Sequence, residues 1–108
     1  MRITDLLHRE SIALAGAPAD KYAAIDQMVA LMASSGNLND VERYKETVLA
    51  REAQGTTGIG DGIAIPHGKT DAVTTAGLSA MVVPDGMDFD SLDGAPTYLC
   101  LLYTSRCV

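Results

Sequence analysis

Tryptophan is absent from this sequence and phenylalanine occurs once, so aromatic residues make up only 5% of it. Large rings therefore cannot fill the interior, and a core must be built from Ile, Leu, Val, Met and Ala. Such residues are plentiful, because 47% of the 108 residues are hydrophobic and 20% are charged. A chain of this length and balance is typical of one globular domain with a single core.

Positive charge is also scarce. Eight Lys and Arg stand against fourteen Asp and Glu, which gives a formal net charge of −6. Proteins that bind nucleic acid need a clustered basic surface that releases counterions from the phosphates. We therefore expect no nucleic-acid partner. The acidic balance is compatible with a basic protein partner, although net charge alone does not identify one.

Long apolar runs and metal-ligand clusters are missing too. The longest apolar stretches, residues 76–84 and 98–103, are much shorter than the ~20 residues that a membrane helix needs. Because the N-terminus has no apolar signal segment, the sequence predicts a cytoplasmic protein without direct membrane insertion. Cys100 and Cys107 have no Cys or His at metal-ligand spacing, so we expect two reduced thiols and no metal site.

Hydrophobic periodicity predicts two helices followed by several strands. Apolar residues recur at helical spacing over residues 22–32 and again over residues 41–49. Asn39 is the expected N-cap of the second helix, with Glu42 as its capping-box partner, and Gly55 is expected to end it. The other expected elements are a helical turn at 3–7, strands at 11–14, 63–65, 77–83 and 97–103, and turns at 84–86 and 90–94.

Helices that precede a set of strands favour an α/β fold in which helices flank a mixed sheet. Two helices give little cover for several strands, and the apolar strand expected at residues 97–103 is followed by only five residues. One face of the sheet is therefore expected to lack cover. An uncovered apolar face predicts self-association or a partner.

The most informative segment is residues 55–69. Five glycines lie within fourteen positions, at residues 55, 58, 60, 62 and 68, and an apolar run at 63–65 leads through Pro66 to His67. Glycine permits close approach of the backbone to a ligand, and successive amides can form anion-binding nests. The pattern predicts an imidazole at the end of a strand, facing an anion. The simpler alternatives are a long mobile loop for the glycines and a packed, hydrogen-bonded histidine for His67.

Other chemistries match these residues less well. The segment lacks the Gly-Lys-Ser/Thr of a Walker loop and is not placed between a strand and a helix like a Rossmann fingerprint. Asp61, His67 and Asp71 supply only one imidazole and lack the tight spacing of a zinc site. No serine elbow for a Ser-His-Asp triad is present. A neutral imidazole that forms a covalent intermediate is the chemistry that suits His67.

Two runs of residues carry a family resemblance. Residues 49–52 read Leu-Ala-Arg-Glu, and residues 57–68 read Thr-Gly-Ile-Gly-Asp-Gly-Ile-Ala-Ile-Pro-His-Gly. Together they resemble the signature of the fructose/mannitol-type (type 2) enzyme IIA domains of the bacterial phosphoenolpyruvate-dependent sugar phosphotransferase system. The match is long and ordered, so it is far more specific than an isolated glycine motif, and it continues more loosely over residues 1–102.

The resemblance implies that His67 accepts a phosphoryl group from the histidine phosphocarrier protein. His67 would then pass the group to a cysteine of a IIB domain, which phosphorylates sugar during import. By the same resemblance, Arg51 corresponds to the family's active-site arginine, whose forked guanidinium suits phosphate oxygens. Backbone amides near Gly68 would share the phosphoryl charge without a metal or other cofactor.

Two further residues are expected to support the site, Thr57 through its hydroxyl and Glu52 by orienting Arg51. Simpler alternatives stay open for both Arg51 and Glu52. Arg51 lies in the last turn of the second predicted helix, where the helix dipole favours any cation. Glu52 fits equally well as part of a solvated helix surface.

The sequence departs from the family pattern in two respects. The family usually has a second active-site histidine after the strand expected at residues 97–102, but no histidine follows His67, and His8 does not match that position. The family domain also continues through further helices and a strand, whereas residues 103–108 look unrelated to it. We therefore expect an incomplete domain at residues 1–102 and a non-family tail at residues 103–108.

Three functions are compatible with these residues. The first is a phosphocarrier domain for sugar uptake, the second is a regulatory (nitrogen-type) IIA domain that controls partner proteins by its phosphorylation state, and the third is a structural remnant. The sugar cannot be inferred from this sequence, because in this system the IIB and membrane IIC components contact sugar and the IIA domain handles only phosphate.

Overall fold

Two helices pack on a six-stranded sheet in the computed structural model, which describes residues 7–34, 36 and 38–106. In chain order the elements are β1 (Leu7–Ala13), α1 (Lys21–Ser34), α2 (Val41–Ala53), β2 (Gly58–Gly60), β3 (Ile63–Ala64), β4 (His67–Thr70), β5 (Gly77–Met87) and β6 (Thr97–Arg106).

The sheet is mixed and its long central strand is β6. The strand order is β1-β5-β6-β3-β2, and β4 pairs with β6 beyond the end of β3. Strand β5 runs antiparallel to β6, whereas β3 and β4 both run parallel to β6 and β1 runs parallel to β5. The predicted α/β class with a mixed sheet is therefore confirmed.

Helix α1 covers the centre of the sheet through one apolar stripe. Its buried residues recur at helical spacing, as predicted from the sequence, and they are Ala24, Ile25, Met28, Val29 and Met32. The Ser79 hydroxyl of β5 donates to the Met28 carbonyl oxygen at 3.1 Å, which fixes the depth at which the helix lies. The first residues of the two predicted stripes, Tyr22 and Val41, are instead exposed.

The N-cap of helix α2 is Asp40 and not Asn39. The Asp40 carboxylate accepts from the backbone N–H of Arg43 at 3.1 Å, while its own backbone is extended. Asn39 is engaged elsewhere, since its backbone N–H donates to the Ala72 carbonyl and its side-chain amide donates to the Asp71 carbonyl. The predicted capping box is wrong because a long-range contact competes for Asn39.

Strand boundaries differ from the prediction where backbone pairing extends an element. Strand β1 begins at Leu7, four residues before the expected start, and β6 continues to Arg106. The predicted turn at residues 84–86 lies inside β5, where Gly86 has φ 76° and the pairing with β6 shifts register between Val82 and Met87. Apart from Leu7, the helical turn predicted at residues 3–7 lies outside the described residues.

The two faces of the sheet differ in cover. On the face toward the helices, Met81, Cys100 and Leu102 are fully or almost fully buried. On the opposite face, which we call the outer face, Leu99, Leu101 and Tyr103 of β6 stand opposite Val82, Ala80 and Leu78 of β5. Tyr103 is 43% exposed there, and Leu99 and Leu101 are half-buried. Neither described helix packs on this face.

Helix α2 approaches β4 at Gly68, where any side chain would collide with the helix. A Cβ atom added at Gly68 would lie 2.9 Å from Val48 Cγ2 and 3.2 Å from Tyr44 Cε1. Tyr44 is itself held in place, because it is fully buried and its hydroxyl donates to the Tyr103 carbonyl at 3.3 Å. The same burial raises the pKa of Tyr44 to about 12. The close contact of helix and strand therefore requires glycine at this position.

We expect Gly68→Ala to lower the free energy of unfolding by about 1–3 kcal/mol, the usual effect of overpacking a tight contact. Val48→Ala should relieve the collision, so the double variant should be less destabilised than the sum of the two single variants. Urea unfolding of all four proteins measures this coupling. Additive effects would contradict the proposed contact between Gly68 and Val48.

The outer face should make this chain self-associate, because half-exposed apolar side chains on adjacent strands favour association. Sedimentation velocity should show a weight-average mass that rises with concentration, and a dye specific for exposed apolar surface should bind. Leu101→Thr, which removes apolar area from this face and places a β-branched residue that suits a strand, should weaken both signals. A monomer that binds no dye at any concentration would contradict this prediction.

Candidate functional site

His67 lies at a junction between two strands that both pair with β6. Strand β3 ends at Ala64, and β4 begins at His67 in register with Tyr103. The sequence predicted one strand at residues 63–65 with His67 at its end, but Pro66 has no N–H and cannot continue a ladder. Its carbonyl instead accepts from the backbone N–H of Tyr103 at 3.1 Å. The histidine is therefore the first residue of a new strand.

One nitrogen of the His67 ring contacts a backbone carbonyl oxygen. Nδ1 lies 3.1 Å from the carbonyl oxygen of Ile65. A carbonyl oxygen only accepts, so this contact is a hydrogen bond when Nδ1 carries the proton. The lone pair of the neutral ring is then on Nε2. The ring is half-buried and lies on the outer face, beside Tyr103.

Arg51 occupies the last turn of α2, as the sequence predicted. Its Nη1 donates to the carbonyl oxygen of Gly55 at 2.9 Å, which uses one of the five N–H groups of the guanidinium. Thr47 lies one helical turn earlier on the same side of the helix. The Thr47 methyl group is 3.4 Å from where a Gly68 Cβ would be. Arg51 is therefore one turn beyond the contact between α2 and β4.

Glu52 is buried, with only 4% of its surface exposed, and is not part of a solvated helix surface. Its Oε2 accepts from the Thr57 hydroxyl at 2.7 Å and its Oε1 accepts from the Thr57 backbone N–H at 3.0 Å. Lys21 Nζ lies 3.5 Å from the same Oε1. The carboxylate thus holds Thr57 and Lys21, and the Arg51 guanidinium is held by Gly55.

Lys21 is a residue that the sequence did not single out. It is separated from Glu52 by 31 positions, and it begins a helix in which a lysine is unremarkable as sequence. A charged residue predicted on a helix surface gives no sign that it will reach a buried carboxylate on another helix. Only the packing of α1 against the end of α2 brings the two charges together.

The glycine-rich segment is ordered by hydrogen bonds and forms strands β2 and β3, so it is not a long mobile loop. The Ile65 N–H donates to the Thr57 carbonyl at 3.0 Å. Asp61 has φ 55°, and its N–H donates to the Asp93 carboxylate at 3.0 Å. Backbone hydrogen bonds from Ala95 and Asp61 lower the pKa of Asp93. Of these contacts, the hydrogen bond between Thr57 and Ile65 connects the segment that follows α2 to the residue that contacts the His67 ring.

Cys100 is the other side chain with nucleophilic chemistry near this segment, and its surroundings make it inert. Burial, and to a smaller extent the charge of Glu52, raise the pKa of its thiol to about 12. The reactive thiolate is then almost absent near neutral pH. In the described part of the chain, no group of three or more His, Cys, Asp or Glu is placed to hold a metal ion.

None of the helices among the described residues is long and apolar enough to cross a membrane.

Comparison with known proteins identifies the family. Residues 5–106 match the family model for the phosphoenolpyruvate-dependent sugar phosphotransferase system, EIIA 2. The family match and strand β6 both continue past residue 102. The expected division into a domain at residues 1–102 and a tail at residues 103–108 stays a prediction. The chain is 44% identical over 102 residues to the fructose-specific EIIABC component of the same system from Bacillus subtilis. That alignment covers 94% of this chain but only 16% of the relative.

Solved structures agree with the family model. The nitrogen regulatory protein IIA-Ntr from Neisseria meningitidis superposes with a TM-score of 0.85 at 27% identity, covering 94% of this chain and 69% of that one. The mannitol enzyme IIA of Escherichia coli, solved in complex with phosphorylated enzyme IIB, gives a TM-score of 0.83 at 25% identity, covering 94% of this chain and 72% of that one. The chain therefore belongs to the EIIA type 2 family of the phosphoenolpyruvate-dependent sugar phosphotransferase system.

Proposed function

We propose that this chain is a phosphocarrier domain that carries a phosphoryl group on Nε2 of His67. The observation that carries the proposal is the contact between His67 Nδ1 and the Ile65 carbonyl, which leaves the Nε2 lone pair as the nucleophile. A histidine held in one tautomer by a backbone carbonyl needs no separate general base, because its reacting nitrogen carries no proton to remove.

The transfer takes place in two displacements. The Nε2 lone pair attacks phosphorus on the histidine phosphocarrier protein, the donor's P–N bond breaks, and the donor imidazole leaves with the electron pair. A cysteine thiolate of a IIB domain then attacks the same phosphorus, and the neutral His67 ring leaves. The complex between the mannitol enzyme IIA and phosphorylated IIB supports a IIB domain as the acceptor.

Arg51 is the residue proposed to stabilise the transferred group. Phosphoryl transfer needs positioning and compensation of charge on three phosphoryl oxygens more than it needs covalent chemistry from the protein. The guanidinium is held at Gly55 by one N–H, and its other N–H groups can fork toward phosphate oxygens. Gly68 contributes by its missing side chain, because it lets α2 approach the strand that begins at His67. Backbone amides near Gly68 complete the proposed site.

Regulation is the second candidate function. The likeness to the nitrogen regulatory protein IIA-Ntr favours it, since that protein has the same fold over nearly all of this chain. Both functions use the same phosphorylated histidine and differ in the receiving partner. Phosphate passed to a IIB domain supports transport, whereas a protein that binds only one phosphorylation state of the chain supports regulation.

We expect His67 to be labelled when the chain is incubated with phosphoenolpyruvate, enzyme I and the phosphocarrier protein. The label should be acid-labile and base-stable, as phosphohistidine is, and should be absent from His67→Gln. His8→Gln is the matched control, because the chain has only two histidines, and it should be labelled like the parent. Undiminished labelling of His67→Gln would refute the assignment.

Arg51→Lys should slow phosphoryl transfer by about 10- to 100-fold while changing the free energy of unfolding by less than about 1 kcal/mol, because the charge remains and the fork geometry is lost. Rapid-quench labelling gives the rate and urea unfolding gives the stability. Arg43→Lys is the matched control, since Arg43 lies on the same helix in an exposed pair with Asp71. A transfer rate in Arg51→Lys equal to that of Arg43→Lys would assign Arg51 to helix capping alone.

A further inference from the structure

Lys21 is much less exposed to solvent than a lysine on a helix surface usually is. Its side chain is only 11% exposed, and its Nζ lies 3.5 Å from Glu52 Oε1 and 3.1 Å from Asp90 Oδ2. The ammonium is also 5.6 Å and 5.9 Å from the ring centroids of Tyr22 and Phe89. Burial lowers the pKa of Lys21, but the hydrogen bond to Asp90 and the charges of Glu52 and Asp90 outweigh that effect and raise it. The ammonium therefore stays charged beside the buried carboxylate.

The partner carboxylate is more enclosed still. The side chain of Glu52 is 1% exposed, and a carboxylate removed from water destabilises the fold unless donors and a counter-charge surround it. Lys21 supplies the compensating charge, and Thr57 supplies the backbone N–H and the hydroxyl. Without the ammonium, the charge balance that keeps both Thr57 contacts would be lost.

Thr57 is connected to His67 by two hydrogen bonds through Ile65. Its carbonyl accepts from the Ile65 N–H at 3.0 Å, and the Ile65 carbonyl in turn accepts from His67 Nδ1 at 3.1 Å. The Ile65 backbone is thus held at its N–H, and its C=O, in the following peptide unit, faces the ring. Thr56 fastens the same segment on its other side, because its hydroxyl donates to the Phe89 carbonyl at 2.8 Å.

We propose that the buried Lys21–Glu52 ion pair positions His67, acting through Thr57 and Ile65 to hold the histidine ring in the tautomer with Nδ1 protonated. Lys21 and Glu52 are positioning residues, because neither contacts the ring. The expected effect on the rate of phosphoryl transfer rests on the proposed function. The expected effect on the His67 tautomer rests on the hydrogen bonds alone.

The chain offers a matched control for the loss of this ion pair. Lys45 and Asp26 form a second pair between the same two helices, but their side chains are 31% and 59% exposed. Lys45→Met therefore removes an ion pair between α1 and α2 without affecting the path to His67. Solvent-exposed pairs of this kind contribute little to stability.

The test measures the His67 tautomer by two-dimensional NMR of the ¹⁵N-labelled full chain, at a pH where the ring is neutral. The variants are Lys21→Met, Lys21→Arg, Thr57→Val, Thr57→Ser and the control Lys45→Met. In the parent, the ring nitrogen shifts should show Nδ1–H as the dominant tautomer. Lys21→Met and Thr57→Val should raise the share of Nε2–H, while Lys21→Arg, Thr57→Ser and the control should resemble the parent.

Transfer rates provide the second measurement. We expect labelling of His67 to slow by about 10- to 100-fold in Lys21→Met and Thr57→Val, and to be restored by Lys21→Arg and Thr57→Ser. Circular dichroism checks the fold. If Lys21→Met does not fold, the comparison of Thr57→Val with Thr57→Ser decides, since the first replaces the hydroxyl by a methyl group and the second keeps the hydroxyl. A parent-like tautomer in a folded Thr57→Val would overturn the proposal. If the parent itself is never phosphorylated, the proposed function fails while the tautomer measurement still tests the positioning role.

Discussion

The buried carboxylate of Glu52 is the contact on which the candidate site depends. An ionised carboxylate taken out of water destabilises the fold strongly unless donors and a counter-charge surround it. Here Thr57 and Lys21 satisfy it, and in doing so they join the end of α2, the start of α1 and the glycine-rich segment. The same contact therefore stabilises the packing of the two helices and fixes the residues that precede His67.

The geometry at His67 follows from what its neighbours lack. Pro66 has no N–H to donate to a ladder, so it contacts β6 only through its carbonyl oxygen, and the regular pairing begins again at His67. Gly68 has no side chain, so α2 can lie directly against β4 and bring the turn that carries Arg51 toward the same end of the strand. A ring held at this junction is fixed by its Ile65 contact and still half exposed. Both properties suit the phosphoryl acceptor that we propose for this chain.

Much of this organisation could be predicted from the sequence, and the failures have a common cause. The stripe of α1 and the strands at β5 and β6 follow from local pattern, whereas the roles of His67 and Arg51, taken from a contiguous motif, stay predictions. Asn39 was predicted as an N-cap because its local sequence suits one, but a contact with the Asp71–Ala72 segment, more than thirty positions away, displaces it. The turn predicted at residues 84–86 is instead an irregular part of β5, because Val82 and Met87 on either side of it both pair with β6. Long-range pairing overrides local propensity at both places.

By itself, the sequence determined the α/β class, the two helices and the family, and it predicted His67 and Arg51 as the residues of a phosphocarrier site. These follow from periodicity and from an ordered motif, which need no knowledge of distant contacts. Only the tertiary structure decided that Glu52 is buried, that Lys21 reaches it, and that the His67 ring has Ile65 as its partner. The reason is physical: a carboxylate, an ammonium and a carbonyl have no fixed role until packing sets their distance, their exposure to water and the donors that surround them.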